Sequence, residues 1–301
     1  MLPRYPGMQG AVGKLGYGTL AAGVALLASM LTDAATANIF GDDDRRDIVA
    51  ADDLSGVGTI VCEGTTRRPT ASLVALPAIA PSPYYDVIAT VAHAFVGSNG
   101  QLLQRCAFWP QADPALAAEI VFLETGTLSP YGNWHNDWAV AVLDRRLPET
   151  YSRLIPRVLD EAGAQKMRNG RARFLLAGHN GERGPLQVSE NCGPVPKLGS
   201  HLNRFDPRVF NHDCDMMPGW SGGPLILRDG GASYLVAVNS TEVNAITHIA
   251  GRPYNGRMNP NTAVRLDGRF LATVENLLRA GAPGTVKCLV ASADETPALP
   301  C

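Results

Sequence analysis

From Val57 to Val238 the chain is a succession of short apolar runs, each closed by Gly, Pro, Asn or Asp, and this pattern constrains the fold more than any other feature. Val57 to Val61, Ala71 to Leu76, Asp86 to Val91, Ile120 to Leu123, Trp138 to Leu143, Phe174 to Ala177, Pro224 to Leu227 and Tyr234 to Val238 have strand length. They are also rich in β-branched or aromatic residues. Helical periodicity is scarce until Phe270, Leu271, Val274, Leu277 and Leu278, which recur at helix spacing behind Asp267, a candidate N-cap. Many short strands followed by one late helix argue for an all-β sandwich or barrel rather than alternating β-α units. The polar stretch from Asp160 to Asn169 reads as a connection between two halves of one fold, since no low-complexity linker or fixed-period repeat divides the chain.

Strands need a core, and the composition supplies one: 46% of the 301 residues are hydrophobic. A net charge of −2 is too even for a nucleic-acid or polyanion binder. The six cysteines, at 62, 106, 192, 214, 288 and 301, show no C-x-x-C spacing. An even, scattered set fits disulfides better than zinc or redox chemistry, and disulfides require an oxidising compartment. The N-terminus offers a route there. Arg4 and Lys14 form a positive region without acids, Leu15 to Leu31 an apolar core, and Ala35-Thr36-Ala37 a small-x-small cleavage site. Residues 1–37 therefore read as a signal peptide and the mature chain as starting at Asn38, secreted or periplasmic. The apolar run is interrupted by Gly16, Gly18 and Gly23 and is short for a membrane span of roughly 20 residues, so no stable membrane insertion is expected after cleavage.

Three local motifs carry chemistry. In Thr90-Val91-Ala92-His93-Ala94-Phe95 a histidine ends an apolar β-type run. In Asn136-Asp137-Trp138-Ala139-Val140-Ala141-Val142-Leu143 a carboxylate stands at the mouth of a buried run. Burying it is costly unless it receives hydrogen bonds, and an imidazole N–H is one suitable donor. In Pro218-Gly219-Trp220-Ser221-Gly222-Gly223-Pro224 glycines flank a serine, which allows a tight exposed turn and close backbone N–H donors for developing negative charge. Each motif alone has a plain structural reading: a core histidine, a turn-capping aspartate, a Gly-rich hairpin. Ser221 also fits G-x-S-x-G, but an α/β-hydrolase needs a helix after the serine and an acid before the histidine. Here a strand and turn follow Ser221, and His248 precedes Asp267.

Taken together, the residues resemble the trypsin-like serine peptidases of the chymotrypsin fold. TVAHAF is similar to the family's T-A-A-H box, DWAVAVL to its D-I-A-L box and GWSGGPL to its G-x-S-G-G-P box, in the family's order. Within the family the sequence looks like the bacterial V8-like, or glutamyl-endopeptidase, branch. Phe40-Gly41-Asp42-Asp43-Asp44-Arg45-Arg46 is similar to its N-terminal G-x-D-D-R segment, and His212-Asp213-Cys214-Asp215 to its C-D-T element.

The resemblance implies two antiparallel six-stranded β-barrels, about 48–150 and about 160–265, with a C-terminal helix at about 267–280 and the active site between the barrels. It implies His93 as general base, Asp137 as its orienting partner, Ser221 as nucleophile, and the Gly219 and Ser221 N–H groups as oxyanion hole, acting on a protein or peptide substrate with no metal and no organic cofactor. It places Asp215, Asn239 and Ser240 at the substrate pocket. Two departures stand out. Trp220 replaces the aspartate with which trypsin binds a new N-terminus, although Ile48-Val49 resembles such a terminus. Asn239 replaces the V8-like histidine that receives a glutamate side chain, and it cannot carry a positive charge. Asp215 matches both trypsin's pocket-floor aspartate and the V8-like C-D-T element.

Six cysteines allow 15 pairings. Their positions around the motifs favour Cys62 with Cys106, clasping the loop that carries His93, Cys192 with Cys214, bracing the approach to Ser221, and Cys288 with Cys301 in the tail. His135, His179, His201, His212 and His248 show no metal-ligand spacing. The expected function is secreted serine endopeptidase. The alternative is a catalytically inactive homologue serving as an extracellular binding module, a reading to which Trp220 and Asn239 lend support; the oligomeric state is left open.

Overall fold

The computed structural model describes residues 38–97, 99–111, 113–180, 184–197, 206–242, 256 and 259–280. The expected signal peptide, Cys288, Cys301, His201 and His248 lie outside the described residues.

A segment at the start, β1 (Arg46–Asp47), precedes the first barrel. The barrel is built from β2 (Val57–Cys62), β3 (Thr70–Val74), β4 (Val87–Thr90), β5 (Cys106–Pro110), β6 (Ala118–Thr125) and β7 (Ala139–Leu143). These six close in the order β2-β3-β4-β7-β6-β5. All five residues of β3 and of β7 are buried, so neither strand alternates buried and exposed; one face fills the barrel and the other is covered by neighbouring structure.

The second half contains β8 (Ile155–Pro156), β9 (Arg173–His179), β10 (Leu186–Cys192), β11 (Pro194–Val195), β12 (Val209–His212), β13 (Pro224–Asp229), β14 (Ala232–Glu242) and β15 (Asn261–Arg265). With β1 they form one sheet of nine strands, ordered β1-β10-β9-β13-β14-β15-β12-β11, with β8 beside β14. Six of the nine are longer strands, the number expected for the second barrel, but among the described residues they form an open, half-barrel sheet and not a closed one. The others, β1, β8 and β11, are two-residue additions.

Both ends of the described chain reach across to the far half. The segment before β1 belongs to the second sheet: Asn38 bridges Met216 through two backbone hydrogen bonds, and Arg46 and Asp47 pair with Val188 and Gln187. The C-terminal helix, Gly268–Arg279, lies on β4 and β7 of the first barrel. Its Asp267 cap accepts a hydrogen bond from the Phe270 N–H at 2.8 Å, as the spacing predicts. Phe270, Val274, Leu277 and Leu278 are buried, each worth about 1.5–3 kcal/mol of burial. The Tyr85 hydroxyl donates to the Leu277 carbonyl at 2.6 Å, fixing the end of the helix to the barrel.

The stretch read as a connection, Asp160 to Asn169, is instead a two-turn helix, Glu161–Arg168. Only Ala164 of it is buried, so no apolar periodicity announces it. Its signals are polar: the Asp160 cap on the Gly163 N–H, Glu161 in the first turn, and Lys166 and Arg168 in the last. Disulfides join Cys62 to Cys106, opposite each other on β2 and β5, and Cys192 to Cys214 ahead of the serine turn. Loops of these lengths, separations 44 and 22, constrain the unfolded chain by about 4 and about 3 kcal/mol in the chain-entropy account.

Candidate active site

Strand pairing brings the histidine and the first aspartate together. β4 and β7 are antiparallel neighbours with Thr90 opposite Ala139. His93 lies three residues beyond Thr90, in the 3-10 turn Ala92–Ala94; Asp137 lies two residues before Ala139, closing the turn Trp134–Asn136. The His93 backbone N–H donates to Asp137 Oδ1 at 2.8 Å, and its ring Nδ1 lies 2.6 Å from Oδ2. Asp137 is 2% exposed, so a buried carboxylate is held by charge-assisted hydrogen bonds from one residue through both its backbone and its ring. With Nδ1 facing a carboxylate, Nε2 is the nitrogen turned to accept a proton.

The serine comes from the other half. Ser221 occupies the turn before β13, and the carbonyls of that turn are bound inward. Gly219 O accepts from Thr70 Oγ1 at 2.8 Å, Trp220 O from Asn239 Nδ2 at 2.9 Å, and Ser221 O from the Thr70 N–H at 2.8 Å. The Gly219 and Ser221 N–H groups meet no acceptor among the described residues. This arrangement needs glycine: Gly219 and Gly222 have φ of 103° and 81°, and a Cβ on Gly222 would lie 2.1 Å from both Thr70 O and Thr90 Oγ1. Ser221 and His93 line one cleft of about 360 Å³ together with Thr66, Arg67, Arg68, Pro69, Ala94, Pro218 and Gly219. The Ser221 hydroxyl donates to the Ser240 carbonyl at a long 3.4 Å, and among the described residues no hydrogen bond joins it to the His93 ring.

The residues expected at the substrate pocket have other surroundings. Asp215 is 2% exposed and does not line the cleft; its Oδ1 accepts from the Phe40 N–H at 2.7 Å and its Oδ2 from the Asp44 N–H at 3.0 Å. Burial pushes its pKa up to about 6, and the Asp44 and Asp43 charges add to that against the lowering effect of the two N–H donors. Its carboxylate thus fastens the N-terminal segment.

Asn239 is likewise buried, with both ends of its amide engaged. Because the Cys214 N–H donates to His212 Nδ1 at 3.3 Å, the ring proton is on Nε2, which donates to Asn239 Oδ1 at 3.0 Å. The Asn239 amide then donates to Trp220 O, completing a chain from Cys214 to the serine turn. His212 is fully buried, and that burial lowers its pKa to about 4, so the ring is neutral and suited to this relay. Asn239 therefore supports the turn from behind.

Ser240 sits at a register shift in β14, between Asn239 and Thr241. Its Oγ donates to Asp137 Oδ2 at 2.8 Å, and its carbonyl faces Ser221. The side-chain link to Asp137 is invisible to sequence reasoning, because it depends on the bulge. Thr70, also missed, is the bolt between halves: its N–H and Oγ1 hold the serine turn, its Oγ1 accepts from the His179 N–H at 2.8 Å, and its carbonyl accepts from Thr90 Oγ1 at 2.7 Å. Trp220 is fully buried against Gly178 in the core of the second half. The Ile48 N–H donates to the Leu186 carbonyl at 3.1 Å, next to the β1–β10 pairing.

No family model matches the sequence, and no curated protein does. Among solved structures, a Glu endopeptidase in complex with MPD superposes with a TM-score of 0.55 at 14% identity, covering 79% of this chain and 98% of that one. A protease, Anisep from Arthrobacter nicotinovorans, gives 0.49 at 14% identity, covering 79% of this chain and all of that one. The protein thus has the chymotrypsin-like fold of the serine peptidases. The Glu endopeptidase is matched along nearly its whole length, and at this identity the likeness is one of fold.

Proposed function

We propose that the protein is a serine endopeptidase acting through His93, Asp137 and Ser221. The observation that carries this reading is the double hydrogen bond from His93 to buried Asp137 beside a glycine turn that presents Ser221 on the wall of the same cleft.

In the proposed reaction His93 Nε2 takes the Ser221 hydroxyl proton as Oγ attacks the scissile carbonyl carbon. Asp137 fixes the ring orientation and stabilises the imidazolium. The carbonyl oxygen becomes an oxyanion that accepts from the Gly219 and Ser221 N–H groups, which meet no acceptor among the described residues. Collapse of the tetrahedral species breaks the C–N bond, and His93 returns its proton to the leaving amine. A water molecule, deprotonated by His93, then releases the acyl group. The hydroxyl's 3.4 Å bond to Ser240 O must give way to one with the imidazole.

The two disulfides support the further reading that the protein works outside the cytoplasm, secreted or periplasmic. No helix among the described residues is long and apolar enough to cross a membrane.

The test is Ser221→Ala with a fluorophosphonate probe. The native protein is expected to label at Ser221 and to cleave peptides, and the variant to lose both, with kcat falling by about 10⁶-fold. A folded native protein that neither labels nor cleaves refutes the reading and leaves the inactive binding module.

A further inference from the structure

The cleft beside Ser221 has a wall that the chemistry above does not use. Thr66 to Pro69 form one side, Pro218 and Gly219 the other, and His93 and Ala94 close it. Nothing from β14 lines it; that strand flanks Ser221 elsewhere, through the Ser240 carbonyl. In acyl transfer the two halves of the substrate part at the serine, and the leaving amine departs past the imidazole that protonates it. A cleft bounded by His93 and Ala94 therefore lies on the leaving-group side.

Two cations face this space and no acid does. Arg67 donates to the His93 carbonyl at 3.3 Å, the Val96 carbonyl at 2.6 Å and Tyr131 Oη at 3.0 Å. Arg68 uses Nη1 alone, donating to the carbonyls of Thr65 at 3.1 Å and Arg67 at 2.9 Å. Every one of these acceptors is neutral, and neither guanidinium meets a carboxylate among the described residues. Arg46, Arg153, Arg168 and Arg208 are each bound to an aspartate, and where Arg171, Arg173 and Arg228 gather on another concave surface, Asp52, Asp53 and Asp229 line it with them. In a chain of net charge −2, two adjacent unpaired cations in a concave wall focus a local positive potential. A guanidinium with free donors suits a carboxylate.

We propose that this cleft is the subsite for the leaving half of the substrate, and that Arg68, with Arg67 beside it, selects a glutamate or aspartate at the first or second residue after the cut bond. Arg68 is the principal determinant, because its Nε and Nη2 make no hydrogen bond among the described residues, whereas Arg67 is tied to the turn that carries the base. This rests on the peptidase reading and specifies its substrate class.

The test uses internally quenched peptides that share one acyl half and carry Glu, Gln or Lys at those two positions. The native protein is expected to cleave the Glu peptides about fivefold faster in kcat/KM than the Gln peptides and the Lys peptides most slowly. The preference should shrink as salt rises from about 0.05 M to about 1 M. Arg68→Gln is expected to bring the Glu/Gln ratio to about one, and Arg68→Glu to reverse the order of Glu and Lys. Equal native rates for Glu and Gln, or an unchanged ratio in a folded Arg68→Gln, overturn the proposal while peptide hydrolysis stands. No cleavage of any peptide, with no fluorophosphonate label on Ser221, overturns the peptidase reading and this inference together.

Discussion

Asp137 at the mouth of the first barrel and Asp215 in the second sheet are both 2% exposed, yet their surroundings differ in kind. Asp137 is met by an imidazole, a hydroxyl and one backbone N–H, and its partners come from both halves: His93 from the first and Ser240 from the second. Asp215 is met by two backbone N–H groups of the N-terminal segment, with Asp43 and Asp44 nearby. The first carboxylate has a partner that can become a cation during a reaction; the second has fixed dipoles, the like charges of Asp43 and Asp44, and in Arg45 a cation whose charge does not change. Burial alone therefore does not mark a catalytic acid. The mobile proton on its partner does.

The largest effect that would sharpen this contrast is expected at Asp137. Asp137→Asn should retain the fold and lower kcat by about 10⁴-fold, since an amide can hold the ring in the wrong tautomer. Steady-state kinetics beside an unfolding curve will separate the two, and a loss of stability that accounts for the activity loss would break the comparison.

Asp215→Ala is expected to act the other way, costing about 2–3 kcal/mol of stability through two orphaned N–H groups while kcat stays within about tenfold. Denaturant midpoints and kcat measured on one preparation decide it. The pH dependence carries the same signature. A native pKa of about 6 lies above the unfolded value of 3.8, so between those values the native state holds a proton that the unfolded state has released. Stability must then fall as pH rises from about 4 to about 6, by at most about 3 kcal/mol, and level off above. Asp215→Asn should flatten that segment of the profile relative to the native protein. Parallel profiles would show that the aspartate is not strained by its neighbours.

The smallest expected effect is at Ser240. Ser240→Ala removes one of the hydrogen bonds to Asp137, a loss of about 1 kcal/mol, and should lower kcat about tenfold or less with little change in the unfolding midpoint. A far larger loss would place Ser240 closer to the chemistry than its link through Asp137 implies.

Parts of the first barrel were legible because β4 and β7 are near-continuous apolar runs, buried on both faces, that need no partner to be recognised. The run Ala139 to Leu143 reads as buried wherever it is placed, and it is buried throughout. The C-terminal helix was legible for a similar reason: its apolar residues repeat at 3.6 and Asp267 caps them. Helix Glu161–Arg168 was not, because its stabilising contacts are polar and distant, such as Arg168 with Asp213 and the Gly193 and Pro194 carbonyls. At the site, the three motifs named His93, Asp137 and Ser221. The contacts of Asp215 and Asn239 were not legible, because a resemblance transfers position in the chain and not the direction of a side chain. Asp215 turns to the N-terminal segment, and Asn239 turns to His212 and the Trp220 carbonyl.

By itself the sequence determined an all-β chain with a late helix, an even set of cysteines suited to bridges, and a histidine, an aspartate and a serine in separate motifs. Those are local matters of periodicity, residue type and order, and local physics decides them. Only the tertiary structure decided which groups meet: that the β4–β7 register sets His93 against Asp137, that a bulge in β14 turns Ser240 to the same carboxylate, and that Thr70 bolts the serine turn to the other half. Those contacts cross tens to more than a hundred residues of chain, and the physical reason lies there. A hydrogen bond requires atoms within about 3 Å in a fixed direction, and across such separations that direction is set by strand pairing and packing, which no single residue encodes.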